Sequence, residues 1–289
     1  MKLGLFPGCS LEGSSREYLE SLTAIAPKLG LELTEVPDWN CCGATAAHSL
    51  NAKLALALPA RNLALAERAG ITDLLVPCSA CYARLMATHE ELDRDEERKR
   101  EIADIIELPL QAGPKIVSIL DVLSTDGVAG RVSRPFAHRV ACYYGCYLTR
   151  PPKLSTLART EDPREMDDLV RAAGAEPVAW AFKTECCGAG LSITRTDLVA
   201  ELAGRVLDDA ERRGAEAIVV ACPMCHTNLD LRRDAIDAHR GRRSRLPVLY
   251  LTQLIGLALG LDERALGLHR HHVPVRFRPD PQPTVAQEI

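Results

Sequence analysis

No apolar run in this chain approaches the roughly 20 residues needed to cross a bilayer, which excludes an ordinary transmembrane helix. The opening Met1-Lys2-Leu3-Gly4-Leu5-Phe6-Pro7-Gly8-Cys9 has too short an apolar stretch for a signal peptide, so a cytoplasmic location is expected. The Gly-x-Gly-x-x-Gly fingerprint is missing, so no flavin or NAD is expected in this chain. An excess of positive charge is missing too: the net charge of −4 gives no basis for nucleic-acid binding. What remains is an ordinary globular composition, 47% hydrophobic and 26% charged, in a length that suits one large domain or two of ordinary size.

Cysteine is what the chain has in quantity. Of 11 cysteines, ten form two sets of one shape. The first set is Cys9, Cys41-Cys42-Gly43 and Cys78-Ser79-Ala80-Cys81; the second is Cys146, Cys186-Cys187-Gly188 and Cys222-Pro223-Met224-Cys225. The offsets between equivalent cysteines are 137 for the first position, 145 for the Cys-Cys pair and 144 for the last pair, which is the mark of an internal duplication. The eight extra residues of the second half fall around 150–164, where Pro151, Pro152 and Pro163 indicate a loop insertion.

The flanking pattern repeats as well. Apolar runs at 3–6 and 140–144 read as buried strands ending at a Gly-Cys, and 14–29 and 163–173 read as helices. Residues 31–36 and 175–180 read as strands leading to Cys-Cys-Gly, and 44–69 and 192–213 as helices. Short strands at 73–76 and 217–220 deliver each Cys-x-x-Cys, and 116–123 and 248–258 close the halves; 90–107 reads as a charge-dense, solvated helix. Alternating strands and helices predict an α/β fold: two pseudo-symmetric Rossmann-like halves with mainly parallel strands. The expected units are 1–135, 136–261 and an irregular tail, 262–289, wrapping the body or a partner. The cysteines would then lie past the carboxyl ends of strands, where such folds place ligands.

Several chemistries compete for these thiols. A Cys-x-x-Cys pair serves zinc, iron–sulfur ligation or dithiol exchange. Five thiols overfill a tetrahedral zinc site, and the side chains of adjacent cysteines diverge, which suits a polynuclear cluster better than one small ion. A cubane cluster takes four thiolates, so a fifth implies a spare ligand or a cluster of another shape. Cys222-Pro223-Met224-Cys225-His226 also matches c-type haem attachment, although Tyr82 stands at the equivalent of His226.

At these motifs the chain resembles the CCG-domain proteins, specifically the B-type subunit of heterodisulfide reductase and its bacterial homologues. The spacers match that pattern, 31 and 39 residues before Cys-Cys-Gly and 35 and 34 after it, as do Phe6-Pro7-Gly8-Cys9-Ser10 and Asp38-Trp39-Asn40-Cys41-Cys42-Gly43-Ala44. The resemblance runs from residue 1 to about Leu261. It implies two CCG domains, each binding a noncubane [4Fe-4S] cluster, one through Cys9, Cys41, Cys42, Cys78 and Cys81 and the other through Cys146, Cys186, Cys187, Cys222 and Cys225. It further implies a catalytic subunit that cleaves a disulfide, or a related sulfur-carrier substrate, between the clusters. Its electrons would come from a C-type partner, a cubane iron–sulfur subunit, which an A-type flavin subunit feeds in turn. The alternatives are an electron-transfer subunit with one cluster and a zinc or vacant site, and the CCG iron–sulfur subunit of a lactate- or glycolate-oxidising system. Members of the latter carry a ferredoxin-like Cys-x-x-Cys-x-x-Cys segment, and none occurs here.

Fewer expectations attach to other residues. His48, six residues past Cys42, is a chemically sensible proton donor to a nascent thiolate. Lys183, Arg195 and Arg150 are candidates for binding an anionic substrate, with surface charge as the plainer reading. Tyr143 and Tyr144 are expected to pack near the second thiol set, and Cys142 to be a buried free thiol or to stand beside that set.

Overall fold

Each half folds the same segment pattern into a four-stranded, all-parallel sheet. A computed structural model describes residues 1–44 and 47–277, apart from the side chain of His48. In the first half β1 (Lys2–Leu5), β2 (Glu32–Glu35), β3 (Asp73–Leu75) and β4 (Lys115–Val117) pair in the order β2-β1-β3-β4. In the second half β5 (Arg139–Tyr143), β6 (Glu176–Pro177), β7 (Ala217–Val220) and β8 (Val248–Tyr250) pair as β6-β5-β7-β8.

The duplication extends to the register. Gly4 pairs with Leu74 in one sheet and Ala141 with Ile218 in the other, positions related by the cysteine offsets themselves. The β7 sequence Ala-Ile-Val-Val is buried throughout, as expected for a parallel strand covered on both faces.

Some expected elements differ, among them 44–69, which is two helices, Ala47–Leu50 and Ala52–Arg68, parted at the N-cap Asn51. Of 175–180 only Glu176–Pro177 pairs, because proline has no N–H to continue the ladder. The charged stretch at 90–107 is not one helix: helix Ser79–Arg94 ends at an extended Asp95, whose carboxylate accepts from the Arg98 N–H at 2.9 Å and starts a second helix, Glu96–Ile106. The described part of the tail runs to 277. It carries a short 3₁₀ turn (Leu268–Arg270), and it reaches both halves, Arg270 onto Glu20 at 2.7 Å and Phe277 edge-on to Phe136 at 4.8 Å. Residues 278–289 lie outside the described residues.

One continuous apolar core joins the halves. Along their junction Tyr18 stacks on Tyr250 with ring centroids 4.2 Å apart, and Ser21 and Thr252 share a hydrogen bond of 2.6 Å.

Candidate metal centre

In both sheets three neighbouring strands deliver all five thiols of a set. The chain leaves β1 and β5 into Gly8-Cys9 and Gly145-Cys146, follows β2 and β6 with the Cys-Cys-Gly turns, and leaves β3 and β7 into Cys-x-x-Cys. Cys78 and Cys222 occupy equivalent N-cap positions, of helices Ser79–Arg94 and Pro223–His226.

Within the first set, Cys9 and Cys41 sulfurs lie 3.8 Å apart, and those of Cys42 and Cys81 3.0 Å apart. Within the second, Cys187 and Cys225 lie 3.7 Å apart, and Cys146 is near enough to Cys186 to shift its acidity. The sets also face each other: Cys78 and Cys222 lie across the junction of the halves, near enough for each thiol to shift the acidity of the other. The Cys42–Cys81 and Cys187–Cys225 contacts thus flank the junction, with Cys78 and Cys222 between them.

Three side chains fix that meeting point. The phenol of the fully buried Tyr18 lies 3.3 Å from both the Pro77 and the Ala221 carbonyl, one residue before Cys78 and Cys222 respectively. Burial pushes its pKa well up, so it stays a neutral donor. Ser79 donates to the same Ala221 carbonyl at 3.3 Å. Behind them His226 stacks on Tyr250 at 4.4 Å and its Nε2–H donates to Val248 O at 3.1 Å. Nothing in the cysteine pattern marks Tyr18 or Tyr250, which belong to the junction and not to the repeat.

The first cysteine of each Cys-Cys pair is made acidic. Hydrogen bonds from the Cys42 and Cys9 thiols, and then from the Gly43 N–H, hold Cys41 well below the usual thiol range. The Cys146 thiol and the backbone N–H groups of Gly188 and Ala189 lower Cys186 to about 6, against the opposing effect of burial. The N–H groups of Gly43 and Gly188 reach the Cys41 and Cys186 sulfurs at 3.4 and 3.3 Å.

The surroundings fit a sulfur-rich metal group. Five thiols converge per half, more than one tetrahedral ion takes. Glycine precedes the first cysteine of each set at positive φ, +66° at Gly8 and +67° at Gly145. A Cβ there would come within 3.1 Å of the Cys81 sulfur or 2.9 Å of the Cys225 sulfur, so only glycine leaves the thiols room. The profile of a family described as a cysteine-rich domain, CCG, matches residues 3–86 and 140–230, one match per half.

The chain belongs to the CCG family. The B subunit of a heterodisulfide reductase from Methanosarcina mazei is 32% identical over 94% of this chain and 94% of its own length. An 8-methylmenaquinol:fumarate reductase membrane anchor subunit from Wolinella succinogenes is 32% identical over 93% of this chain and 96% of its own. A hypothetical protein from Helicobacter pylori shares the fold at a TM-score of 0.76 and 16% identity. The match covers 96% of this chain, which spans about half (53%) of that solved chain. Family and relatives together make this CCG protein an iron–sulfur redox subunit of an oxidoreductase family. Among the described residues no helix is long and apolar enough to cross a membrane.

Other expected site residues fare differently. Lys183 is buried and committed, 2.8 Å from Asp167, 3.2 Å from Asp162 and donating to Pro163 O at 2.9 Å, so it cannot receive an anion. Arg195 is exposed and chelates Asp197 at 3.0 and 2.7 Å. Arg150 is exposed beside the second set, where its charge helps to lower the Cys186 thiol. Tyr143 faces the second set, and its phenol donates to Glu185 O at 2.6 Å. Strand alternation sends its neighbours away: Tyr144 bonds to Asp167 at 2.8 Å, and the fully buried Cys142 lies against the same carboxylate. Both therefore stand apart from the thiols. His226, engaged at Val248, is not free to be a haem ligand, and Cys225 contacts Cys187. His48 lies in helix Ala47–Leu50, and its side chain is outside the described residues.

Proposed function

We propose that this chain is the catalytic subunit of a heterodisulfide reductase-like complex. The reaction is the interconversion R–S–S–R′ + 2e⁻ + 2H⁺ ⇌ R–SH + R′–SH. The supporting observation is the Tyr18 phenol between the Pro77 and Ala221 carbonyls, 3.3 Å from each, which holds the Cys78 and Cys222 turns, and so the two five-thiol sets, beside each other. In this reading each set holds one [4Fe-4S] cluster of noncubane type. When bound, such clusters supply electrons singly and offer iron with an affinity for thiolate sulfur. The protein supplies the rest. Tyr18 and Ser79 fix both Cys-x-x-Cys turns against each other, and the Gly43 and Gly188 N–H groups steady a thiolate in each half. Cys9 and Cys41 are exposed, which leaves the first set open to solvent protons, with His48 as the candidate donor.

Electrons enter from a partner carrying cubane iron–sulfur clusters, which a flavin subunit feeds in turn, and in the cell the chain turns over only with them. A cytoplasmic complex accords with the absence, among the described residues, of a helix able to cross a membrane. The Wolinella relative favours a second reading, an electron-relay subunit of a quinol-linked enzyme. Oxidation of the anaerobically reduced protein separates the two. The disulfide reading predicts that disulfides reoxidise it, with two thiols released for every two electrons withdrawn. Reoxidation by quinones alone would replace it with the relay reading.

A further inference from the structure

Cys42 and Cys187, the second thiols of the two Cys-Cys pairs, are both buried, yet their neighbours differ. Cys187 is met by an amide. The Nδ2 group of Asn228 donates to the Cys187 carbonyl at 3.0 Å and reaches the Cys187 sulfur at 3.7 Å, a hydrogen-bond length for so large an acceptor atom. The Ser192 hydroxyl donates to the amide oxygen at 3.0 Å, which fixes the amide with its N–H groups towards the thiol. Arg232 donates in turn to the Ser192 carbonyl. Asn228 is fully buried, and in such dry surroundings its hydrogen bonds are strong.

The first half has no equivalent among the described residues. The cysteine offsets put Arg84 where Asn228 stands and Ala47 where Ser192 stands. No side chain other than a thiol bonds to the Cys42 sulfur among the described residues. The backbone departs from the repeat at the same point. Cys81 sits in the regular helix Ser79–Arg94, whereas the helix holding Cys225 ends at His226 and runs into a π turn, Thr227–Leu231, that carries Asn228. Turns of this kind are rare and are found mostly at functional sites.

A brace for the loop needs only the bond to the carbonyl. The N–H on the sulfur adds an effect on charge. An iron–sulfur centre gains negative charge when it is reduced, and a donor at a ligating sulfur stabilises that charge. The second set is the more enclosed of the two, and enclosure by itself disfavours added charge. The amide offsets that cost.

We propose that Asn228 is a positioning residue that raises the reduction potential of the second half's iron–sulfur centre through its hydrogen bond to Cys187. This inference rests on the reading above that each set holds a cluster, and it names a residue that makes the two centres unequal. In the couple concerned the centre takes one electron from an external reductant, and no bond is made or broken.

The test is an anaerobic titration of the full iron-loaded chain with dithionite, followed by electron paramagnetic resonance. Cys42→Ala and Cys187→Ala assign the signals to their halves. Asn228→Leu replaces the amide with an apolar side chain of similar size. It should make reduction of the second half's centre about tenfold less favourable, a fall of about 59 mV for one electron, and shift the first half's by less than about twofold. Ser192→Ala releases the amide oxygen and should give a smaller fall in the same half. Asn228→Gln, which keeps an amide, should recover part of the potential. Iron content is measured on every sample. An unchanged second-half midpoint in Asn228→Leu with iron retained would overturn the proposal and leave Asn228 a brace for the carbonyl. An equal fall in both halves, or a wild type with no second-half signal, would overturn it too. Where Asn228→Leu loses iron, Ser192→Ala decides, and an unchanged midpoint there would be equally fatal. Thiol release from disulfides, assayed on the same samples, keeps the two ideas apart. The expected shift without thiol release by the wild type would overturn the disulfide reading and leave the role of Asn228 standing. Thiol release with midpoints indifferent to Asn228 would do the reverse.

Discussion

The two thiol sets are copies, yet one is open and the other closed. Cys9 and Cys41 are exposed, whereas their counterparts Cys146 and Cys186 are half-buried. The supports differ as well. In the first half Asn62, fully buried, grips the residue before the motif, accepting from the Asn40 N–H at 2.8 Å and donating to its carbonyl at 2.9 Å. In the second half Asn228, also fully buried, grips the motif itself, donating to Cys187 O at 3.0 Å while Ser192 braces it at 3.0 Å. The lesson is that duplication preserved the donors and the register but let the surroundings diverge. The halves therefore offer the same thiols at different solvent access, a difference that would tune the potential of any cluster bound there.

The largest expected effect comes from removing a deep thiol. Cys187→Ala should delete the second half's iron and leave the first half's signal in electron paramagnetic resonance, and Cys42→Ala the reverse. Loss of both signals from either variant would mean that the halves are not separate sites.

Next is the glycine before the first cysteine of each set. Gly145→Ala forces a methyl to 2.9 Å from the Cys225 sulfur at a φ of +67°, and Gly8→Ala one to 3.1 Å from the Cys81 sulfur at +66°. Backbone strain alone costs about 1–2 kcal/mol in each case. Iron analysis should show each variant impaired in its own half, Gly145→Ala more severely. Normal iron in both would remove the argument that these glycines make room for the group.

Alkylation of the iron-free protein sharpens the contrast in access. Cys41 is exposed and held as a thiolate, so mass spectrometry should find it labelled before Cys186, and both before Cys78 and Cys222. Labelling of Cys186 ahead of Cys41 would invert the open and closed assignment. The smallest effect belongs to the braces: Asn62→Ala should cost about 1–3 kcal/mol in denaturant unfolding and leave the second half's iron in place.

Much of this was legible in the sequence because it depends on spacing. Matched offsets between cysteines, 137 at the first position and 144 at the last pair, called for equivalent strands, and the register Gly4–Leu74 and Ala141–Ile218 obeys them. The ligand candidates were legible because each is a cysteine at a repeated position. The meeting of Cys78 with Cys222 was not, since it depends on how the halves pack. That packing is set by Tyr18, Tyr250 and Ser21, which have no counterparts in the repeat. Lys183 looked available because a sequence shows a charge but not Asp167 folded beneath it.

The central claim, two clusters acting together on one sulfur–sulfur bond, is tested most directly by metal analysis of the anaerobically purified chain. Iron, sulfide and zinc would be counted alongside electron paramagnetic resonance before and after addition of disulfide. The account predicts on the order of eight irons per chain, no stoichiometric zinc and both signals perturbed by disulfide. About four irons with one zinc, or a single responding signal, would contradict it.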